Sequence, residues 1–260
     1  MHIVIAIKQV PDTTDIKIDP VTNTLIREGV DSIINPFDMY AIEEAIRLKD
    51  AHGGKVTAIS MGPPQVESAL RDAVAIGVDE IILITDRKFA GADTWATSLT
   101  LAAALEKIGD YDLVFMGQQA IDGDTAQVGP GVAAHLDLPQ CCFVRKIEEI
   151  GEHKVTVQRL METGYDRLEL ELPAVLTVVK EINEPRLPSL RGKRNARKAE
   201  LIKFTADDLG LDEQDIGLNG SPTQVIKIFS PHHEKQGEKH DVEPEEAADI
   251  VFKKLKEFSL

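Results

Sequence analysis

DLVFMGQQAIDGDTAQVGP, residues 112–130, combines an apolar run, a glycine, a polar loop and the start of a helical pattern. The run Asp112–Met116 is apolar after its first residue, which is typical of a parallel strand covered on both faces. Gly117 ends this strand, and Asp124 or Thr125 is predicted to cap the helix that follows. This order of strand, loop and helix is the repeating unit of a parallel α/β sheet.

The same unit occurs three times earlier in the chain. The predicted strands are His2–Lys8, Lys55–Met61 and Glu80–Thr85. Helices are predicted after Asn35-Pro36, a good cap followed by a good first residue, after Gly62-Pro63-Pro64, and after Asp93 or Thr94. Four units predict an α/β fold with a mainly parallel sheet, helices on both faces and right-handed crossovers.

The pattern changes after Pro139. The four predicted strands there lack intervening helices and are expected to be antiparallel or edge additions to the sheet: Phe143–Ile147, Lys154–Leu160, Arg167–Leu172 and Val175–Val179. Periodicity is lost from about Asn183 until a final amphipathic helix, Pro244 to about Phe258. We therefore expect an α/β domain at 1–185 and a second part at 186–260 that ends in a long arm. The arm either packs on another subunit or folds back on its own sheet.

The net charge of −15 disfavours a nucleic-acid binder or a partner of anionic membranes, because both need a basic surface. No segment approaches the roughly 18 apolar residues that suggest a spanning helix. The first residues, MHIVIAIKQVPD, do not resemble a signal peptide. The sequence predicts a soluble, cytoplasmic protein.

The segment 186–203 carries seven basic residues and one acid. Its charge of +6 leaves −21 on the rest of the chain. Its composition favours an extended, exposed connection, either a solvated basic loop or a segment that lies on an acidic partner or on phosphates.

Ligands of parallel α/β sheets bind at the carboxyl ends of the strands. The loops at these ends are 6–12, 61–64, 85–93 and 117–125, and all but 85–93 are informative. A helix start after Asp122 would favour an anion, and the Asp122 carboxylate could accept hydrogen bonds from ribose hydroxyls. An ordinary polar helix cap is the alternative.

The sequence shows no motif that is typical of other kinds of active site. P-loop, Rossmann and nucleophile-elbow motifs are missing, and the seven histidines show no metal spacing. Cys141 and Cys142 are expected to pack rather than to undergo redox reactions. We predict no catalytic side chain and no metal site.

Taken together, the motifs resemble the β subunit of electron transfer flavoproteins. They occur in the family's order along nearly the whole chain: VIAIKQVPD at 4–12, REGV at 27–30, INPFDMYAIEEA at 34–45, ISMGPP at 59–64, GQQAIDGDTAQVGP at 117–130, VQRLMETG at 157–164, LPAVLTVVKEINEPR at 172–186 and GSPT at 220–223. Two positions depart from the pattern: Thr163 follows Glu162, and Arg167 stands where Glu is common. The resemblance implies an adenine-nucleotide α-hydrolase-like (HUP-type) fold and an α subunit that holds an FAD.

The resemblance also implies a nucleotide in the β subunit itself. In the electron-bifurcating type this nucleotide is a second FAD, which takes a hydride from NADH. One electron then passes to the α-subunit FAD and on to an acyl-CoA dehydrogenase-like enzyme, and the other passes to ferredoxin or flavodoxin. In the housekeeping type it is a structural AMP. Residues 122–130 resemble the bifurcating type, since Gly123 and Ala126 are small and the family's acidic run ending in NQTG is missing. A stand-alone nucleotide-binding module is a further alternative.

Two sets of residues follow from the motif positions. The implied cofactor-binding residues are Ala6, Lys8, Asn35, Pro36, Phe37, Asp38, Met61, Gly62, Gly117, Gln118, Gln119, Ala120, Ile121, Asp122, Gly123, Asp124, Thr125, Ala126, Gln127 and Val128. As alternatives, Asn35 only caps its helix and Lys8 only pairs with Asp12. The implied partner-docking residues are Pro188, Ser189, Leu190 and Arg191, with Leu190 as the exposed anchor.

Overall fold

The computed structural model describes residues 1–12, 32–226 and 237–258. It divides the chain into two compact units, Met1–Ile226 and Lys227–Leu260. The REGV motif at 27–30 lies outside the described residues.

A nine-stranded sheet forms the centre of the first unit. In sequence order its strands are β1 (His2–Ala6), β4 (Lys55–Met61), β5 (Glu80–Ile84), β6 (Leu113–Gly117), β7 (Gln140–Ile150), β8 (Lys154–Met161), β9 (Gly164–Glu171), β10 (Ala174–Val178) and β11 (Leu201–Phe204). Their spatial order is β11-β5-β4-β1-β6-β10-β7-β8-β9. β2 (Gln9–Pro11) and β3 (Ser32–Ile34) form a separate antiparallel pair.

The strands from β11 to β7 are parallel, and β8 and β9 extend the sheet in antiparallel fashion. β1 shows why apolar runs form the central strands. Ile3 and Ile5 pack into one core cluster, and Val4 and Ala6 pack into the other, because successive side chains point to opposite faces. Both faces must therefore be covered.

Helices cover both faces. α1 (Pro36–His52) and α2 (Glu67–Ile76) pack on one side, and α3 (Thr94–Ile108) and α4 (Val128–His135) pack on the other. The predicted α/β architecture with helices on both faces is confirmed. α6 spans Pro244–Phe258 and lies in the second unit.

The position of β10 corrects the sequence prediction. The segment Val175–Val179 was expected to be antiparallel or at an edge, but β10 lies inside the sheet and is parallel to both β6 and β7. All five of its residues are buried. The antiparallel part is the β7–β8–β9 meander. After β9 the chain returns as β10, which lies between β6 and β7.

The segment after residue 185 also differs from the sequence prediction. It contains α5 (Leu190–Ala196), which packs on α2, and β11, which pairs with β5. Ala206 and Ile216 are buried in the core beneath α3. Residues 186–226 thus belong to the first unit, and the division lies at 226/227 rather than at 185/186.

We expect Gly192→Ala to lower the free energy of unfolding by about 1–3 kcal/mol, the usual cost of overpacking. An added Cβ would lie 2.0 Å from the Ala75 carbonyl oxygen, so α5 would have to move away from α2. Urea unfolding measures the change. Gly151→Ala is the control, since its Cβ would approach no atom closer than 3.7 Å, and equal effects of the two substitutions would contradict the prediction.

Candidate functional site

A cavity of about 820 Å³ opens at the carboxyl ends of β1, β4, β5 and β6. Fourteen of the predicted cofactor-binding residues line it: Ala6, Lys8, Asn35, Asp38, Met61, Gly62, 117–120 and 125–128. Six do not: Pro36, Phe37, Ile121, Asp122, Gly123 and Asp124. The strand-end position follows from parallel pairing, which brings these loops to one edge.

Asp38, in the first turn of α1, joins three elements beneath the cavity. Its Oδ2 accepts the backbone N–H of Lys8 at 2.7 Å, and its Oδ1 accepts the N–H of Gly117 at 3.1 Å. The side chain is buried, and burial raises the pKa of Asp38 to about 7 although these hydrogen bonds oppose the rise. The carboxylate therefore fixes the ends of β1 and β6 relative to α1.

Gly117 makes this junction possible. A Cβ at this position would lie 2.5 Å from Asp38 Oδ1 and 2.6 Å from the Phe37 carbonyl carbon. Only glycine allows the strand end to come this close to the start of α1.

Asn35 precedes α1 but does not cap it with its side chain. Its Nδ2 donates to the Gln119 carbonyl oxygen at 2.8 Å, and its Oδ1 accepts the N–H of Ile121 at 3.2 Å. Asn35 is 1% exposed. It holds the polar loop, defined as residues 118–127, so the interpretation as a simple helix cap is wrong.

The polar loop is longer than the sequence predicted. α4 begins at Val128, and neither Asp124 nor Thr125 caps it. Asp124 and Ala126 instead adopt positive φ angles of 52° and 53°, which keep the backbone out of a helix. A hydrogen bond of 2.8 Å from Thr94 Oγ1 to Gln127 Oε1 ties the end of the loop to α3.

Lys8 pairs with the polar loop rather than with Asp12. Its Nζ lies 2.7 and 2.8 Å from the two carboxylate oxygens of Asp122. Both oxygens that were expected to contact ribose thus contact Lys8 in this structure. The pair bridges the end of β1 and the loop beside the cavity.

Sequence reasoning placed the loop after β5 at the strand ends but left its residues out of the cofactor-binding set. Residues 85–87 and 89–92 line the cavity. Arg87 is exposed and has no ion pair within the described ranges 1–12, 32–226 and 237–258. The strand-end position had already pointed to this loop, and Arg87 was the signal in it that could have added its residues to the site.

Cys141 is a free and buried cysteine. Burial raises the pKa of the Cys141 thiol to about 11, so it is protonated at neutral pH. Over the residues that the structure describes, no group of three or more His, Cys, Asp or Glu side chains could hold a metal ion. None of the described helices is long and apolar enough to cross a membrane.

The fold and cavity define a mainly parallel α/β protein with a cavity at the carboxyl ends of its strands. Residues 22–209 match the family model for the electron transfer flavoprotein domain. The chain therefore belongs to the electron transfer flavoprotein family, and its relatives place it with the β subunits.

Three relatives match this chain over most of its length and most of their own. The electron transfer flavoprotein subunit beta of Thermoanaerobacterium thermosaccharolyticum is 56% identical over 92% of this chain and 91% of the relative. Subunit CarD of the caffeyl-CoA reductase-Etf complex of Acetobacterium woodii is 48% identical, with shares of 99% and 98%. Protein FixA of Sinorhizobium fredii is 47% identical, with shares of 91% and 85%.

We expect Asp38→Asn to lower the free energy of unfolding by about 1–3 kcal/mol at pH 5, because the amide nitrogen cannot accept one of the two buried N–H groups. The deficit should shrink as the pH rises to 8. The folded pKa of Asp38 is raised, so its contribution to stability is present below pH 4 and is lost as the pH rises through about 7. Asn has no such loss.

Urea unfolding at pH 5, 6, 7 and 8 tests this prediction. Asp207→Asn is the control, because the Asp207 side chain is 86% exposed. A deficit for Asp38→Asn that stays constant across this pH range would contradict the raised pKa.

Proposed function

We propose that this chain is the β subunit of an electron-bifurcating electron transfer flavoprotein, which binds FAD in its cavity and uses NADH as electron donor. The observation that carries the proposal is the polar loop held beside a cavity of about 820 Å³ by Asn35 and Asp38. Cofactor sites of 300–1,000 Å³ are usual, so a dinucleotide-sized ligand fits.

The residues present fit a phosphate-bearing nucleotide. Lys8 and Arg87 supply two cations in the cavity lining, and backbone groups of the polar loop supply donors and acceptors. A Cβ at Gly123 would meet no described atom within 4 Å. No described residue therefore crowds the polar loop at this position, although Gly123 itself lies outside the cavity lining.

FAD, when bound, supplies hydride acceptance and one-electron transfer. This chain's own residues bind and orient it. Asp38 and Gly117 set the cavity floor, Asn35 and Thr94 fix the two ends of the polar loop, and the Lys8–Asp122 pair fixes its middle. No side-chain nucleophile is required for this role.

The proposed assembly includes an α subunit with its own FAD, an acyl-CoA dehydrogenase-like enzyme, and ferredoxin or flavodoxin. The relative CarD is named as part of a caffeyl-CoA reductase-Etf complex, which supports an acyl-CoA enzyme as partner. Leu187 and Leu190 support a docking role for the segment around 188–191, because they are 88% and 89% exposed on a basic strip.

Extraction of nucleotide from the purified heterodimer of this chain and its α subunit tests the proposal. We expect two FAD per heterodimer, determined by chromatography against protein concentration. One FAD and one AMP would contradict bifurcation and indicate the housekeeping type. A homodimer that holds a nucleotide and binds no α subunit would indicate the stand-alone module.

We further expect Asp122→Ala to weaken nucleotide binding about two- to fivefold, since an exposed ion pair contributes up to about 1 kcal/mol. Its loss frees Lys8 and the middle of the polar loop. Ultrafiltration of the heterodimer, followed by assay of retained FAD, measures the change. Asp166→Ala, on the far strand β9, is the control, and unchanged retention in Asp122→Ala would remove Asp122 from the site.

A further inference from the structure

The docking segment, defined as residues 186–199, begins at a buried carboxylate. Glu43 Oε2 accepts the Arg186 Nε–H at 2.8 Å and the Arg186 backbone N–H at 3.1 Å, and Glu43 Oε1 accepts from Nη2 at 3.1 Å. The Glu43 side chain is 5% exposed. Arg186 is therefore held by three hydrogen bonds to one residue in the middle of α1.

This arrangement differs from a surface ion pair. A guanidinium bound to a carboxylate through two parallel N–H bonds is fixed in direction as well as distance. Asp50 adds a bond of 3.1 Å from Nη1, but its side chain is 59% exposed and contributes less. Glu43 is the principal anchor of the segment's first residue.

The chain just before Arg186 is also held on α1. Asn183 Nδ2 donates to the Tyr40 carbonyl oxygen at 3.0 Å and to Glu44 Oε2 at 2.9 Å. Glu44 is 8% exposed. Glu43 and Glu44, two adjacent buried acids on α1, thus bind the chain where it passes from β10 to the docking segment.

The far end of the docking segment is held on α2. Arg71 Nη1 donates to the carbonyl oxygens of Ala196 and Ala199, and Gly192 lies against the Ala75 carbonyl oxygen. Both ends are fixed, while the Leu187 and Leu190 side chains between them face solvent. Exposed leucines on a fixed backbone suit insertion into an apolar pocket, and the basic residues around them suit a rim of carboxylates.

We propose that Glu43 is a positioning residue for partner docking: by holding Arg186 it sets where Leu187 and Leu190 stand on the surface. This inference rests on the docking role given under the proposed function. A prearranged segment loses less freedom on binding than a mobile one, so release of Arg186 should weaken the complex without altering the chemistry that follows.

The experiment measures electron transfer from the heterodimer to the enzyme that the wild type reduces fastest among butyryl-, acryloyl- and caffeyl-CoA reductases. We expect Glu43→Gln to raise KM for the heterodimer about 3- to 10-fold with kcat and nucleotide content unchanged, since each immobilised side chain costs about 0.5–1.5 kcal/mol. Amide hydrogen exchange over 187–199 should become faster, while exchange in β1 and β6 should not.

Three variants accompany Glu43→Gln. Asp50→Ala removes only the exposed bond to Arg186 and should raise KM less. Arg186→Lys keeps the charge but loses the fork, so it should raise KM like Glu43→Gln; it also replaces that variant if Glu43→Gln does not fold. Leu190→Ala removes the anchor itself and should raise KM at least as much.

The outcomes separate the two proposals. If Leu190→Ala raises KM and neither Glu43→Gln nor Arg186→Lys does, the positioning role is overturned and docking stands. A fall in kcat or in nucleotide content with KM unchanged would also overturn it. If Leu190→Ala leaves KM unchanged, or the wild type reduces none of the three enzymes, the docking role is overturned together with the inference that rests on it.

Discussion

The backbone N–H groups of Lys8 and Gly117 both donate to the buried carboxylate of Asp38. The cavity depends on these two hydrogen bonds. Parallel strands leave donors unpaired where they end, and a buried donor without an acceptor is costly. Asp38 satisfies two strand ends at once and ties both to the first turn of α1. Because the carboxylate must be buried to reach both strand ends, its charged form is disfavoured and its pKa is raised.

α1 positions both the cavity and the docking segment of the first unit. Its start holds the cavity floor and the polar loop through Asp38 and the preceding Asn35, and two turns later Glu43 holds the root of the docking segment. A helix rises about 1.5 Å per residue and bends little over such a length. The proposed nucleotide site and docking surface are therefore held at a set separation by one rigid element.

Local patterns predicted what depends on neighbours in sequence. The apolar runs of β1, β4, β5 and β6 and the cap at Asp93 lie where the sequence placed them. Contacts between distant residues were not predictable. Lys8 meets Asp122 across 114 positions, Asn35 meets Gln119 across 84, and α5 packs against the distant α2. From its sequence pattern β10 looks like another strand of the meander. Only its pairing with β6 in the structure shows that it lies inside the sheet.

The interior place of β10 has a consequence for biosynthesis. The chain leaves the ribosome from its N-terminus, so β1, β4, β5 and β6 exist before β10 does. Until residue 178 emerges, β6 remains an open edge with unpaired backbone groups, and such an edge invites association with other nascent chains. The β7–β8–β9 meander pairs mostly with its sequence neighbours and can form early, after which β10 closes the gap. Folding of the half that holds the cavity thus waits for a strand that lies beyond it in sequence.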